Sequence, residues 1–418
     1  MPSTARRESP TGRATASSSA TAAASGSRLE KISRAIALKI ANRGKDVVPF
    51  YAMEVLKAAN DREAAGGDVL HMEVGEPGGG SPRVVVDAAE AALRNAPIGY
   101  TEALGIPELR DRISQHYQSV YGLSVDPSRI VVTTGSSGAF LLAFLAAFDP
   151  GDSVFLTTPG YPAYPNILKS VGVEPVMVET GPETRFQPTP ELLSEAHEGA
   201  DGLLLASPAN PTGTMLGRNA LEELVGYCDS RGMRLISDEV YHGITYGEKA
   251  VSAAEFGDAA VVINSFSKYF SMTGWRLGWM IVPEDMVRSI EVLGQNLAIS
   301  APALSQRAAI AAFDATEELD ARVAGYARNR ELLLKELPAA GFDRMAPADG
   351  AFYIFADVTK LTNNSMEFCR RMLEEIGVAT TPGLDFDPKR GHAYVRFSFA
   401  GDYDDVAEAA RRIKDWLA

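Results

Sequence analysis

The sequence predicts an α/β fold in two parts: a large domain with a mainly parallel sheet flanked by helices, and a smaller α+β domain. The chain has 418 residues, which is too long for one small core. Between residues 130 and 264, continuous apolar runs alternate with helical patterns. Such runs are typical of strands that are buried on both faces of a parallel sheet. Beyond residue 298 the pattern changes to long helices around short strands, which favours a second domain.

The individual elements follow from β-branched runs and turn residues along the chain. In the large domain we expect strands at 130–134, 153–157, 202–206, 233–237 and 260–264, and a helix at 137–148. In the second domain we expect helices at 318–337 and 403–417 around strands at 351–355 and 393–399. The expected organisation is a tail at 1–28, an N-terminal arm at 29–75 that joins the small domain, the large domain at 76–297 and the small domain at 298–418.

Composition narrows the class of protein. Apolar residues make up 46% and charged residues 22% of the chain, as in soluble globular proteins. A net charge of −14 argues against a nucleic-acid partner, which needs a basic face. No apolar run approaches the ~20 residues that span a bilayer, so we expect no membrane association. Two cysteines, Cys228 and Cys369, and five scattered histidines predict no disulfide framework and no metal site, and they favour a reducing, cytoplasmic location.

The first 28 residues differ from the rest of the chain. They consist mainly of Ser, Thr and Ala, with no large apolar residue after Met1 until the segment ends. Such a segment cannot bury enough surface to offset its chain entropy, so it is predicted to be disordered. Arg6, Arg7 and Arg13 against a single Glu8 also resemble an organelle transit peptide, which leaves import as an alternative.

Polar or aromatic residues follow each of the five strands expected in the large domain. They are Gly135-Ser136-Ser137-Gly138, Tyr161, Asn210, Asp238 with Tyr241, and Ser265 with Ser267 and Lys268. In open α/β sheets, ligands bind beyond the carboxyl ends of the strands. Small residues that open a helix suit a phosphate, because free N–H groups and the helix dipole favour an anion there. Taken singly, the Gly/Ser segment is better explained as a tight turn, and Tyr161 as a core-packing residue.

Together these residues describe one ligand with five chemical groups. The matches are a phosphate for the serines and Arg276, a flat ring for Tyr161, a basic ring nitrogen for Asp238, a ring oxygen for Asn210 and Tyr241, and a carbonyl for Lys268. Pyridoxal 5'-phosphate has all five, and it typically pairs with a lysine and with an acid at its ring nitrogen.

Four segments carry a family resemblance when they occur in this order. They are SPANPTG (207–213), SDEVY (237–241), SFSKYFSMTGWRLG (265–278) and YVRFSFA (394–400). With them the sequence resembles the class I pyridoxal-phosphate-dependent aminotransferases, of the aspartate aminotransferase fold type I, over about residues 30–418. The resemblance implies that fold, that cofactor, and transfer of the amino group of an L-amino acid to a 2-oxo acid.

The resemblance also implies a role for each site residue. As catalytic residues, Lys268 forms a Schiff base and moves the proton, Asp238 keeps the ring nitrogen protonated, and Tyr241 holds the ring oxygen. The implied cofactor-binding residues are Tyr100, Ser136, Ser137, Tyr161, Asn210, Asp238, Tyr241, Ser265, Ser267, Lys268 and Arg276. The implied substrate-binding residues are Gly75, Tyr161, Asn210 and Arg396, with Arg396 on the α-carboxylate. Tyr100 matches a tyrosine that reaches the phosphate of the partner subunit, which implies a homodimer.

Two other activities compete with amino transfer. A lyase of the same fold, such as a carbon–sulfur β-lyase or an aminocyclopropane-carboxylate-synthase-like enzyme, would use the same residues. A regulator that senses the cofactor would carry a DNA-binding region ahead of the fold, where this sequence has its Ser/Ala/Thr tail.

The amino donor follows from what the pocket lacks. Ser137 stands where one aspartate-specific branch of the family has a lysine, and Tyr161 stands where aspartate enzymes have a tryptophan. Because an unpaired buried carboxylate costs several kcal/mol, we expect a neutral or aromatic donor to react at least as well as aspartate. A cation from Arg83, Arg307 or the partner subunit is the alternative. Candidates for the side-chain pocket are Phe50, Tyr51 and Met53.

Overall fold

The computed structural model describes residues 41–45, 47–197 and 199–418. The expected tail at 1–28 and the first part of the arm, 29–40, lie outside the described residues. The strands are β1 Leu70–His71, β2 Ile130–Thr133, β3 Ser153–Thr158, β4 Glu174–Glu179, β5 Gly202–Ala206, β6 Arg234–Asp238, β7 Val261–Ser265, β8 Gly278–Ile281, β9 Tyr353–Asp357, β10 Val378–Ala379, β11 Thr381–Pro382 and β12 Tyr394–Ser398.

Helices surround these strands. They are α1 Tyr51–Ala64, α2 Arg83–Asn95, α3 Pro107–Tyr121, α4 Gly135–Ala147, α5 Ala163–Val171, α6 Pro190–Ala196, α7 Arg218–Arg231, α8 Glu284–Leu297, α9 Ala303–Ala312, α10 Thr316–Ala339, α11 Ser365–Ile376 and α12 Tyr403–Leu417. Among the described residues, none of these helices combines the length and the apolar character needed to cross a membrane.

A seven-stranded sheet forms the centre, in the order β2-β8-β7-β6-β5-β3-β4. Neighbours from β7 through β4 pair in parallel, and only β8 runs antiparallel to both of its neighbours. The expectation of an α/β fold with a mainly parallel sheet is therefore confirmed. The five expected strands form within one or two residues of their expected bounds, whereas β4 and β8 complete the sheet without having been predicted.

Both faces of this sheet are buried. Consecutive residues of β5, for example Leu203 and Leu204, belong to two different core clusters, because their side chains point to opposite faces of the sheet. One cluster packs the sheet against α3, α7 and α9, and the other packs it against α4, α5 and α8. Helices on both faces explain why the strands read as continuous apolar runs rather than as alternating ones.

The C-terminal part has its own sheet and core. Strand β12 lies between β11 and β9 in an antiparallel sheet, and α10, α11 and α12 contribute to the same core. Residues of the expected arm contact this part, because β1 pairs with β10 and Ala59 of α1 packs with Leu373 and Ala379.

The core to which the chain contributes changes beyond residue 298, where the boundary between the two domains was expected. Helix α9 and the start of α10 contribute Ala301, Ala308, Ala309, Ala312, Ala315 and Leu319 to a core cluster of the large sheet. The change of core falls inside α10, since Tyr326 and Leu333 of the same helix pack with the C-terminal sheet. Short alanine side chains let α9 approach the large domain closely, and a helical pattern alone does not reveal which core a helix joins.

Candidate active site

A cavity of about 320 Å³ lies at the carboxyl ends of β3, β5, β6 and β7. Because parallel strands end at the same edge of a sheet, residues far apart in the sequence meet here. The lining residues are Phe50, Ala52, Met53, Glu73, Val74, Gly75, Ser136, Phe140, Tyr161, Tyr164, Ala206, Pro208, Asn210, Asp238, Val240, Tyr241, Lys268, Tyr353 and Arg396.

Lys268 follows β7 by three residues and points into the cavity. Its Nζ donates a hydrogen bond to the carbonyl oxygen of Gly75 over 2.6 Å. Burial lowers the pKa of the Lys268 ammonium to about 8, and the nearby Arg396 guanidinium acts in the same direction. A lysine with such a pKa is partly uncharged near neutral pH, and only the uncharged amine can attack a carbonyl or accept a proton.

Arg396 lies on β12 and reaches the same cavity from the C-terminal part. Its Nη1 donates to Asn210 Oδ1 over 2.9 Å, while Nη2 donates to Thr381 Oγ1 over 3.1 Å and to the carbonyl of Glu73. Its Nε is buried without a partner, and Arg396 has no carboxylate partner within the described ranges. A buried guanidinium that keeps its charge unpaired is suited to bind a carboxylate in two-point fashion.

Two aromatic rings hold the Arg396 guanidinium. The Cζ atom lies 4.5 Å from the ring centroid of Tyr353 and 4.7 Å from that of Phe386. Stacking on aromatic faces stabilises an arginine by cation–π attraction without neutralising its charge. The rings therefore fix the guanidinium plane and leave it available for a ligand.

Asp238 ends β6 on the floor of the cavity, where only 6% of it is exposed. Tyr164 Oη donates to Asp238 Oδ2, and the Val240 N–H donates to Asp238 Oδ1 over 3.1 Å. Burial raises the pKa of the Asp238 carboxyl to about 6, while the bond from Tyr164 is the strongest influence that lowers it. Tyr164 thus favours the charged carboxylate, the form that can pair with a protonated ring nitrogen.

Tyr241 and Tyr353 form a pair of buried hydroxyl groups beside Lys268, with their Oη atoms 2.8 Å apart. Lys268 Nζ lies 5.7 Å from the ring centroid of Tyr241. Gly75 is required at its position, because a Cβ atom there would lie 1.7 Å from Tyr353 Oη. The Tyr353 hydroxyl therefore packs directly against the backbone of Gly75.

The residues expected to bind phosphate meet at the start of α4. A Cβ atom on Gly135, whose φ is +73°, would lie 2.8 Å from Arg276 Nη2, so the guanidinium lies directly against this helix start. Ser265 Oγ donates to Ser267 Oγ over 3.0 Å in the adjoining loop. Arg276 has no carboxylate partner in the described part of the chain. A helix N-terminus, an arginine and paired hydroxyls form a donor set that suits a phosphate.

Eight of the thirteen expected site residues line the cavity. Ser265, Ser267 and Arg276 do not line it but lie at or beside the start of α4, and Ser137 and Tyr100 do not line it either. Ser137 stands at the start of α4 with an exposed side chain, whereas Ser136 faces the cavity. Tyr100 is 85% exposed and lies on the surface of the subunit. Neither alternative cation lines the cavity: Arg83 is paired with Asp87 over 2.8 Å, and Arg307 lies on α9.

Sequence reasoning missed the residues that support the site. Tyr164 contacts Asp238, Tyr353 contacts Tyr241 and Arg396, and Phe386 contacts Arg396. Tyr164 follows Tyr161 by one helical turn, which is the only local signal that it faces the same ligand. No spacing in the sequence relates Tyr353 or Phe386 to their partners.

The donor set fits pyridoxal phosphate. The start of α4 with Arg276 would suit a phosphate group, and the buried Asp238 carboxylate would suit a protonated ring nitrogen. Lys268, with its lowered pKa, would suit a carbonyl. The buried Nε of Arg396, which has no hydrogen-bond partner, would be available to a carboxylate. Among the described residues, no group of His, Cys, Asp and Glu side chains is placed to hold a metal ion.

Comparisons with known proteins agree with this chemistry. The family model "Aminotransferase class I and II" matches residues 67–413. The chain is 51% identical over 375 residues to a valine–pyruvate aminotransferase of Mycobacterium tuberculosis, covering 89% of this chain and 97% of that relative. It is 32% identical to an aspartate aminotransferase of Bacillus subtilis, covering 91% of this chain and 99% of that relative. The crystal structure of an aminotransferase from Mycobacterium tuberculosis matches with a TM-score of 0.89 at 50% identity, over 91% of this chain and 99% of that one.

The bond from Tyr164 predicts a pH effect on cofactor binding. In Tyr164→Phe the pKa of Asp238 rises above about 6, because its strongest lowering influence is lost. The carboxylate is then protonated at higher pH, so the affinity for pyridoxal phosphate falls at a higher pH than in the wild type. Fluorescence titration of the cofactor-free protein across a pH series measures this midpoint.

Tyr161→Phe is the matched control, because it also removes one hydroxyl from the cavity wall and leaves the bonds of Asp238 intact. In Asp238→Asn, which has no carboxyl group to protonate, the fall in affinity for pyridoxal phosphate at low pH should disappear. Identical midpoints in Tyr164→Phe and the wild type would contradict the role of this bond.

Proposed function

The chain belongs to the class I and II aminotransferases, and on that premise we propose that it transfers the amino group of a neutral L-amino acid to pyruvate. The enzyme depends on pyridoxal 5'-phosphate and moves an amino group from an amino acid to a 2-oxo acid. Family membership and the relatives favour transfer over the lyase and regulator alternatives. We further propose the identity of the amino donor and acceptor, the role of each site residue and assembly into a homodimer.

The composition of the cavity wall is the main observation that supports a neutral donor. Much of the cavity wall is apolar or aromatic, with Phe50, Met53 and Phe140 among its residues. Of the lining residues, only Lys268 and Arg396 are cations. A donor with a second carboxylate would bury that charge against apolar atoms, which costs several kcal/mol without a cation.

The 51% identical relative is named for valine and pyruvate, both of which lack a side-chain charge. The relatives named for aspartate are less similar, at 28–33% identity. The order of similarity therefore supports a neutral donor as well. Pyruvate fits the same logic, because a methyl side chain needs no cation.

Arg396 and Asn210 orient the donor in this proposal. Arg396 Nη1 already donates to Asn210 Oδ1, and the buried Nε is free to complete a two-point contact with an α-carboxylate. Fixing the carboxylate beside Lys268 places the Cα–H bond near the lysine amine, and proximity of this kind accounts for a large part of enzymatic rate enhancement.

Lys268 is the residue that we expect to attach the cofactor and then to move the proton at Cα. When bound, pyridoxal phosphate supplies the carbonyl that accepts the amino group and the ring that delocalises the electrons left at Cα. Asp238 is expected to hold the ring nitrogen protonated, and Tyr241 with Asn210 to donate to the ring oxygen. The lowered pKa of Lys268 leaves its amine available as a base near neutral pH.

We also propose a homodimer in which Tyr100 completes the partner's site. Tyr100 is 85% exposed, and Ile98, Leu297 and Ile299 beside it are 43%, 55% and 46% exposed. The two segments adjoin, since the Thr101 N–H donates to Ser300 Oγ over 3.4 Å. Exposed apolar residues that cluster around a tyrosine are typical of an interface.

The attachment residue can be identified chemically. Borohydride reduction of the holoenzyme should leave the cofactor permanently bound to the peptide that contains Lys268, as mass spectrometry would show. Lys268→Ala should lose both the adduct and transamination. Lys389→Ala, which changes an exposed lysine paired with Glu179, should keep both. An adduct on any other lysine would refute the assignment.

The donor is tested in half-reactions without an acceptor, followed at the cofactor absorbance. We expect kcat/KM for valine to exceed that for aspartate by about a hundredfold, roughly 2.7 kcal/mol of transition-state preference. The aminated enzyme should then react faster with pyruvate than with 2-oxoglutarate. An enzyme that prefers aspartate must contain a cation that reaches the side chain, and the proposed donor class would be wrong.

The assembly is tested with two inactive variants. We expect a solution mass of twice the 44.7 kDa subunit. Lys268→Ala and Tyr100→Ala each impair every site, but a mixed dimer would have one site with both residues intact. Refolding equal amounts together should therefore restore about a quarter of wild-type activity. Mixtures that show no gain over the separate variants would rule out action of Tyr100 in trans.

A further inference from the structure

A short turn after β11 contacts three parts of the cavity wall: Arg396 on β12, the loop that contains Tyr161, and the start of α1. This turn, Gly383–Asp385 with Phe386 following, is buried and packs beside β12. The Phe386 ring lies under the Arg396 guanidinium, and the Phe386 carbonyl accepts a hydrogen bond over 3.0 Å from the N–H of Gly160, next to Tyr161. Asp385 provides the third connection.

Asp385 caps the N-terminus of α1 from a distant part of the chain. Its Oδ1 accepts from the Tyr51 N–H over 2.9 Å, and its Oδ2 accepts from the Ala52 N–H over 3.2 Å. The first N–H groups of a helix have no hydrogen-bond acceptor within the helix. Phe50, which precedes α1, has no side-chain oxygen that could accept hydrogen bonds from them. A carboxylate that accepts both bonds also interacts favourably with the helix dipole.

The first turn of α1 is part of the cavity wall. Phe50, Ala52 and Met53 line the cavity, and the ring of Phe50 lies 5.9 Å from that of Tyr161. Met53 is 58% exposed, so packing alone holds this turn weakly. Further along the helix, Val55 and Ala59 pack with Leu373 and Ala379. Asp385 thus holds the segment of α1 that reaches the cavity, and packing holds the rest.

We propose that Asp385 is a positioning residue that sets the enzyme's discrimination among donor side chains. It does so by holding Phe50 and Met53 against the donor, without touching the donor itself. The inference rests on the proposed use of neutral donors. A side chain that extends beyond Cβ would contact this wall, whereas the methyl group of alanine would not reach it.

Asp385→Asn tests the proposal. Asparagine keeps the size of the side chain but has one acceptor oxygen, and its amide group would face one of the two helix N–H groups. We expect kcat/KM for methionine and valine to fall about tenfold, in the range that one or two lost apolar contacts produce. The value for alanine should change by less than about twofold.

Asp387→Asn is the matched control. Asp387 directly follows this turn and is only 2% exposed. Its carboxylate accepts hydrogen bonds from the Lys389 and Arg390 N–H groups and from Arg390 Nε, and not from α1. Loosening the turn in general should therefore affect alanine and methionine alike. Amide hydrogen exchange of the holoenzyme provides a readout independent of turnover: exchange at Tyr51 and Ala52 should accelerate in Asp385→Asn and remain at the wild-type rate in Asp387→Asn.

Two results would overturn the role of Asp385. One is an equal loss for alanine and methionine in Asp385→Asn, and the other is unchanged exchange at Tyr51 and Ala52. A wild-type enzyme that reacts with aspartate and not with neutral donors would instead overturn the proposed function, and this outcome is visible before any variant is compared.

Discussion

The backbone of residues 73–75 accepts hydrogen bonds from the two cations that line the active-site cavity, Arg396 and Lys268. Arg396 donates to the carbonyl of Glu73, and Lys268 donates to the carbonyl of Gly75. A carbonyl orients a cation through its dipole and leaves the full charge in place, whereas a carboxylate at either position would form a buried ion pair. The two functional side chains can therefore be fixed before a substrate arrives, and each stays available for an anion or a carbonyl.

In the proposed function, the proximity of Arg396 and Lys268 would couple substrate binding to proton transfer. The positive charge of Arg396 contributes to the lowered pKa of Lys268, after burial itself. A carboxylate that binds Arg396 would offset this influence and raise the proton affinity of the lysine. The ion pair that orients a donor would thus also make Lys268 a stronger base at the moment when a proton at Cα must be removed. A substrate without a carboxylate would lose both effects.

The sequence predicts the ionisable residues of this cavity better than the residues that support them. Lys268 and Asp238 are predictable because each follows an apolar run, and parallel strands bring such ends to one edge. Tyr353 is not, because its contacts with Tyr241 and Arg396 join three separate strands and loops. The same limit applies to the fold: the strands that make continuous apolar runs are predictable, whereas the core that α9 joins depends on tertiary packing.

Specificity in this cavity depends on what the wall lacks as much as on what it contains. In the proposed function the Arg396 guanidinium binds the α-carboxylate, and Lys268 is the only other cation among the residues that line the cavity. Removing water from an unpaired carboxylate costs more than the contacts of one or two methyl groups can return. If the proposed function is correct, this composition alone would exclude acidic side chains. Choice among neutral side chains would then need a wall at a defined distance, which the first turn of α1, capped by Asp385, would provide.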